Sequence, residues 1–210
     1  KGLKKDEAVF NILREYIKES RAIRFDGDSY GETWEKEAKK RGLSNNKTTP
    51  EALKVKITKR AIDLFEEMDV MNKIELEARY EIELELYTKR VQIESRVLGD
   101  IARNHIVPTA IIYQNTLLEN TKNIKEIFGD DFKNIAKEQI ELIMVISNHI
   151  TEINSLVNKM IDERKKANKL SGLKSAEYYC QKVQPFFEQI RYHCDKLETM
   201  VDDNLWPLTK

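Results

Sequence analysis

The sequence predicts an all-α protein, an antiparallel bundle of long helices preceded by shorter ones, and three observations lead there. Apolar residues recur at spacings of three and four through most of the chain. Only 7 glycines and 4 prolines interrupt 210 residues. The one segment that alternates like a strand carries glutamate at its intervening positions, and glutamate is a good helix former that strands avoid.

The first helix is marked by Asp6 as its cap and by Val9, Phe10, Leu13, Tyr16 and Ile17 at helical spacing, ending near Ser20. Residues 21–25 read as an extended connector. In the following DGDSYGETWEKE stretch, Asp-Gly makes a turn, and Ser29 with Glu32 has the spacing of a capping box for a helix that Gly42 ends. A polar connector leads to Thr49 as cap and Pro50 at the first position of a helix running to about Met68. Ala52, Leu53, Ile57, Ala61, Leu64 and Phe65 form its apolar side.

The segment 73–128 organises the rest and reads as one long, bent helix. Asn72 with Glu75 supplies a capping box and Gly129 the stop. Its alternating apolar residues sort into two stripes, Leu76, Tyr80, Leu84, Tyr87, Val91 and Ala78, Ile82, Leu86, Ile93, Val97. Residues two apart lie about 200° round a helix, so this alternation predicts packing on two opposite sides. Pro108 lacks the amide that would reach the Asn104 carbonyl, which predicts a bend. Polar Asn104, His105, Thr109, Gln114 and Asn115 surround it, either satisfying freed backbone groups or lining a site.

After Gly129 a second long helix is expected from about Asp131 to Lys169, with Leu142, Ile146, Ile150, Ile153, Val157 and Met160 as a bundle seam. Leu170, Ser171 and Gly172 permit a tight reversal. The last helix is expected over 174–203 with Pro185 inside it, and Phe186, Ile190, His193, Leu197 and Met200 on one face. Three long helices joined by short loops pack antiparallel.

With 36 basic and 36 acidic side chains the net charge is zero, which gives no electrostatic reason to expect a nucleic acid or an anionic membrane as partner. No apolar run approaches the roughly 18 to 20 residues of a membrane span, and KGLKKDEAVF lacks the apolar core of a signal peptide, so the expected location is cytoplasmic. Cys180 and Cys194 fall in one predicted helix; 14 residues apart, they stand about 20 Å from each other, too far to pair. Separated thiols fit a reducing compartment. The chain starts at Lys1 without an initiator methionine, directly before a helical pattern, which is expected of a piece of something longer.

Candidate chemistry is sparse. Asp26, Asp28, Gly31 and Glu37 occupy positions 1, 3, 6 and 12 of a calcium-loop pattern, but Tyr30 stands at position 5 and the preceding helix ends too early; a turn explains the same residues. His105, His149 and His193 lie on three predicted helices, yet Ala102, Ile146 and Ile190 stand where a di-metal bundle places glutamate. Glu81, Glu83 and Glu85, or Asp202 and Asp203, read as solvated faces and ends. Arg191 to Asp195, RYHCD, reads as packing at a bundle end. No phosphate-binding glycine loop, nucleophile elbow or paired-cysteine motif occurs, so no residue is assigned a catalytic, cofactor-binding or metal-ligating role.

RFDGDSYGETWEKEAKKRGL with NNKTTPEALK, then IESRVLGDIARNHIVPTAIIYQNTLLEN, then IRYHCDKLETMVDDNLWPL resemble the carboxy-terminal region of type III glutamine synthetase. The resemblance spans essentially the whole chain, with Ser29 and Gly31 departing from a pattern closer to Gly-Asp-Gly-Tyr-Ser. It implies a parent enzyme that joins glutamate and ammonia with ATP and Mg or Mn, at sites between subunits of stacked six-membered rings. The family's catalytic acids, metal ligands and nucleotide contacts match none of these residues. The implied division is 1–25 as the end of the catalytic domain, 26–72 as a short-helix connector and 73–210 as a helical bundle extension. The expected role is a structural or assembly module, inactive alone, with the rest of the parent chain and neighbouring ring subunits as partners. A regulatory or ligand-binding module is the alternative.

Overall fold

A computed structural model describes residues 4–209. They are helical with no strand among them, and the chain divides into two compact units, Lys1–Lys47 and Thr48–Lys210.

In the first unit, α1 spans Lys5–Glu19 and buries none of its residues. Asp6 does not cap it: Lys4 holds that position without a side-chain bond, and Asp6 sits in the first turn, where its charge meets the positive end of the helix dipole. The expected extended connector is instead a 3-10 turn over Ser20–Ile23, followed by extended backbone at Arg24. The Ser29/Glu32 box does not form either. Asp28 accepts the Tyr30 amide at 2.9 Å, its carbonyl receives the Gly31 amide at 3.3 Å, and this turn delays the start of α2 (Glu32–Lys40) until Gly31 is the cap. The helix ends as expected at Gly42, φ +73, where the Leu43 amide reaches back to the Ala38 carbonyl at 2.9 Å. Phe25 packs on Trp34 with ring centroids 4.8 Å apart, and Arg41, paired with Glu37 at 2.8 Å, donates to the carbonyls of Ala22 and Arg24.

The second unit opens with α3, Thr49–Lys54, where Thr48 holds the N-cap position without a side-chain bond, so that Pro50 stands one place further in than expected; its missing amide is among those left unbonded in any first turn. The helix does not run on to Met68. A 3-10 turn over Val55–Ile57 leads to extended backbone at Thr58, whose hydroxyl donates to Val55 O at 2.8 Å and accepts from Ala61 N at 3.3 Å, capping α4 (Lys59–Glu67).

The segment from Lys73 to Phe128 is helical throughout, as α5 (Lys73–Asp100), a π-helical stretch Ile101–Ile106 and α6 (Val107–Phe128). The capping box is present: Asn72 Oδ1 accepts from Glu75 N at 3.0 Å, and Glu75 Oε2 accepts from Asn72 N at 2.8 Å. Before Pro108 the Val107 amide reaches the carbonyl of Ala102, five residues back. A π turn therefore houses the proline. The first apolar stripe is buried at Leu76, Tyr80, Leu84 and Val91. The second is not buried: Ile82, Leu86, Ile93 and Val97 are 50–62% exposed.

After a 3-10 turn at Gly129–Asp131, a short α7 (Phe132–Ile135) is interrupted at Ala136 before α8 (Lys137–Ala167). Its seam is buried at Ile146, Ile153, Val157 and Met160. Then α9 (Gly172–Tyr178) passes through a second π stretch, Tyr179–Val183, into α10 (Pro185–Glu198). The last helix thus ends five residues before the expected limit, and Val201 is buried in the turn beyond it.

The pairing is antiparallel. Gln92 meets Asn168, Gly99 faces Val157, Arg103 reaches Asn154 and Gln114 reaches Ile143, so one helix descends as the other climbs. The pairs Tyr178 with Glu163 and His193 with His149 place α9 and α10 antiparallel to α8 in turn. The main core joins Val91, Ile106, Ile153, Met160, Tyr179 and Ile190, and a smaller cluster joins Leu53, Tyr80, Leu84 and Ala176.

The caps give a paired test. Asn72→Ala should cost about 1 kcal/mol of unfolding free energy, whereas Ser29→Ala, which removes no cap, should change it by less than about 0.5 kcal/mol. Urea unfolding of the two variants measures both values.

Candidate functional site

The residues weighed in the sequence are distributed by the fold into separate tasks. In the calcium-like stretch, Glu37 is engaged by Arg41 and the Asp28 side chain by its own turn. Among the described residues no three His, Cys, Asp or Glu side chains group as metal ligands. Around Pro108, the Thr109 hydroxyl donates to the His105 carbonyl at 2.9 Å, Asn104 donates to the Asp100 carboxylate at 2.5 Å, and Gln114 crosses to Ile143 O at 2.9 Å and Ser147 Oγ at 2.5 Å. Thr109 serves the local backbone, while Gln114 holds α6 on α8. The polar residues do not converge on one point.

Two of the three histidines meet. His149 on α8 and His193 on α10 place their Nδ1 atoms 2.8 Å apart, with ring centroids at 5.1 Å, and Tyr192 stands edge-on to His193 at 5.2 Å. His105 is exposed and takes no part. A single hydrogen bond between two Nδ1 atoms needs one protonated and one bare nitrogen, so the pair holds one shared proton between the helices. Burial, then the neighbouring His193, then Lys196 push His149 below its ordinary value.

The rest of RYHCD is divided between surface and core. Arg191 pairs with Asp195 at 3.4 Å, and Tyr192 is exposed and lies under the Lys196 ammonium at 5.6 Å. Cys194 is buried, and burial followed by the Asp195 charge pushes its thiol up to about 12, so it stays protonated at neutral pH. Cys180 is also free.

Two features escaped the sequence. Asn168 Oδ1 accepts from both Gln92 Nε2 at 2.9 Å and Tyr179 Oη at 2.5 Å, tying three helices beside a cleft that Glu81, Glu85 and Lys89 also line. Arg103 in the first π stretch donates to Asn154 O at 3.1 Å and to Asn158 Oδ1, while its Nε is buried without a partner. The only sequence signal for either was an amide or a guanidinium near a predicted core stripe. No helix among the described residues is long and apolar enough to cross a membrane.

The histidine pair gives stability a pH dependence. Because His149 titrates lower in the folded chain than in the unfolded one, its contribution is complete above the unfolded value of about 6.5. As pH falls below that value the unfolded chain takes up the proton first, and stability declines until the folded value is passed. Thermal melts from pH 7.5 to pH 5 should show this loss, and His149→Gln should flatten it.

Comparison with known proteins places this architecture. Residues 8–125 match the family model described as the glutamine synthetase C-terminal domain. The chain is 46% identical over 211 residues to a glutamine synthetase of Bacteroides fragilis, covering 100% of this chain and 29% of that protein. It is 30% identical over 209 residues to the type-3 glutamine synthetase of Dictyostelium discoideum, covering 97% and 28%. It is 27% identical over 198 residues to a glutamine synthetase of Butyrivibrio fibrisolvens, covering 94% and 28%. The chain therefore spans less than a third of the length of these relatives. The resemblance to type III glutamine synthetase holds, and the chain belongs to the glutamine synthetase C-terminal domain family.

Proposed function

We propose that this chain is the carboxy-terminal helical module of a type III glutamine synthetase, serving structure and assembly and making no glutamine by itself. The observation that carries the proposal is the full-length match of this chain to less than a third of relatives named glutamine synthetase. The parent enzyme would join glutamate and ammonia using ATP and Mg or Mn, with those ligands held outside this chain. Residues 1–25 would close its catalytic domain, 26–72 connect, and 73–210 form the extension.

Two unpartnered faces support an assembly role. α1 carries Val9, Phe10, Leu13, Tyr16 and Ile17 at helical spacing yet buries nothing, and α5 exposes Ile82, Leu86, Ile93 and Val97 opposite its buried stripe. An apolar face of this extent is stabilised when another surface covers it. The remainder of the parent chain and neighbouring subunits of a ring-shaped homo-oligomer are the proposed cover, in the cytoplasm, with neither nucleic acid nor membrane as partner.

The purified chain, given glutamate, ammonia, ATP and Mg or Mn, should form no glutamine; metal-dependent turnover that persists after removal of any full-length contaminant would overturn the proposal. In the parent enzyme, Leu86→Asp with Ile93→Asp should shift the assembly to smaller species by light scattering. An unchanged assembly with altered response to metabolites would favour a regulatory module instead.

A further inference from the structure

Three arginine side chains line one cleft between α5 and α8. Arg96, Arg103 and Arg164 line it together with Ser95, Asp100 and Asn104. Arg96 on α5 stands level with Arg164 on α8, since the neighbouring pair Gln92 and Asn168 are hydrogen-bonded and Gly99 packs on Met160. Arg103 enters from the π stretch and its side chain reaches Asn154 and Asn158 of α8.

Some surface arginines are neutralised by a carboxylate, as in Arg41 with Glu37 and Arg191 with Asp195. In this cleft none is: among the described residues no salt bridge involves Arg96, Arg103 or Arg164. Arg103 finds only neutral acceptors, and its Nε is buried with none. The one carboxylate in the cleft, Asp100, accepts from Asn104 at 2.5 Å and forms no salt bridge, and the three arginines outnumber its single charge. Grouped like charges raise each other's energy, and an orphaned buried donor adds the cost of its lost hydration. Arg164 registers this strain, being shifted below its ordinary value first by burial and then by Arg96. A bound anion would relieve both costs at once.

We propose that this cleft is a binding site for a small multivalent oxyanion, a phosphate or polycarboxylate group, held by Arg96, Arg103 and Arg164. Guanidinium groups present paired N–H donors matched to both chemistries, and three of them favour a ligand with at least two negative charges. Ser95 adds no donor, because its hydroxyl is spent on the Gln92 carbonyl at 2.8 Å. The site goes beyond the assembly role and does not depend on it.

The test is calorimetric titration of the 210-residue chain with pyrophosphate and, separately, with citrate at low ionic strength. Saturable binding of one equivalent is expected, weakening as salt rises. Arg164→Gln and Arg96→Gln should each weaken it at least tenfold, whereas Arg79→Gln, an exposed arginine outside the cleft, should leave it unchanged. Arg103→Gln also removes bonds to α8, so the first two variants, checked for an unaltered helical spectrum, carry the decision. Tighter pyrophosphate identifies a phosphate site and tighter citrate a polycarboxylate site. Absence of saturable binding to either probe, or an equal loss in Arg79→Gln, overturns the proposal.

Discussion

A proline inside a helix has no amide to give and crowds the carbonyl four residues back, and the second unit has to house two of them without losing its long helices. It uses the same device both times. The residue before each proline bonds the carbonyl five places back: Val107 to Ala102 ahead of Pro108, and Gln184 to Tyr179 at 2.9 Å ahead of Pro185. The widened turn keeps the chain helical on either side, so α5 and α6 present one continuous buried stripe to α8. Ala102, Ile106, Val107 and Ala110, which span the first π stretch, are all buried.

The core depends on that continuity. Met160, Ile153, Tyr179 and Ile190 come from three segments and share one cluster with Val91 and Ile106. Polar ties fix the alignment at intervals: Gln114 to Ile143 and Ser147, Arg103 to Asn154, and Gln92 to Asn168. The π stretches are also where unusual chemistry gathers. Arg103 projects from the first, and Cys180 lies in the second close to Tyr87, whose hydroxyl is pushed up by burial before any other cause.

Much of this was legible in the sequence, and the reasons for the failures are physical. Glutamates between the apolar residues of 74–86 chose helix over strand, Asn72 with Glu75 announced the start, and Gly42 and Gly129 announced stops because their backbones take positive φ. The break at Thr58 was hidden, since ALKVKITKRAIDLF keeps a helical apolar period while a hydroxyl quietly supplies a new cap. The π turns were hidden as well. Proline predicts a disturbance but not whether the chain bends, breaks or inserts a residue. The double stripe of α5 was read correctly as a pattern and wrongly as two buried sides, because a pattern does not contain its partner. The meeting of His149 with His193 joins residues 44 apart and needs the register of two helices, which no local spacing encodes.

The most direct measurement is of the hydrogen bonds themselves. In the isotope-labelled, deuterated chain, scalar couplings across hydrogen bonds should connect the Val107 amide nitrogen to the Ala102 carbonyl and the Gln184 nitrogen to the Tyr179 carbonyl. Couplings to Arg103 and Cys180 instead, four residues back, would mean ordinary α turns before both prolines and would contradict this explanation of how the long helices stay whole.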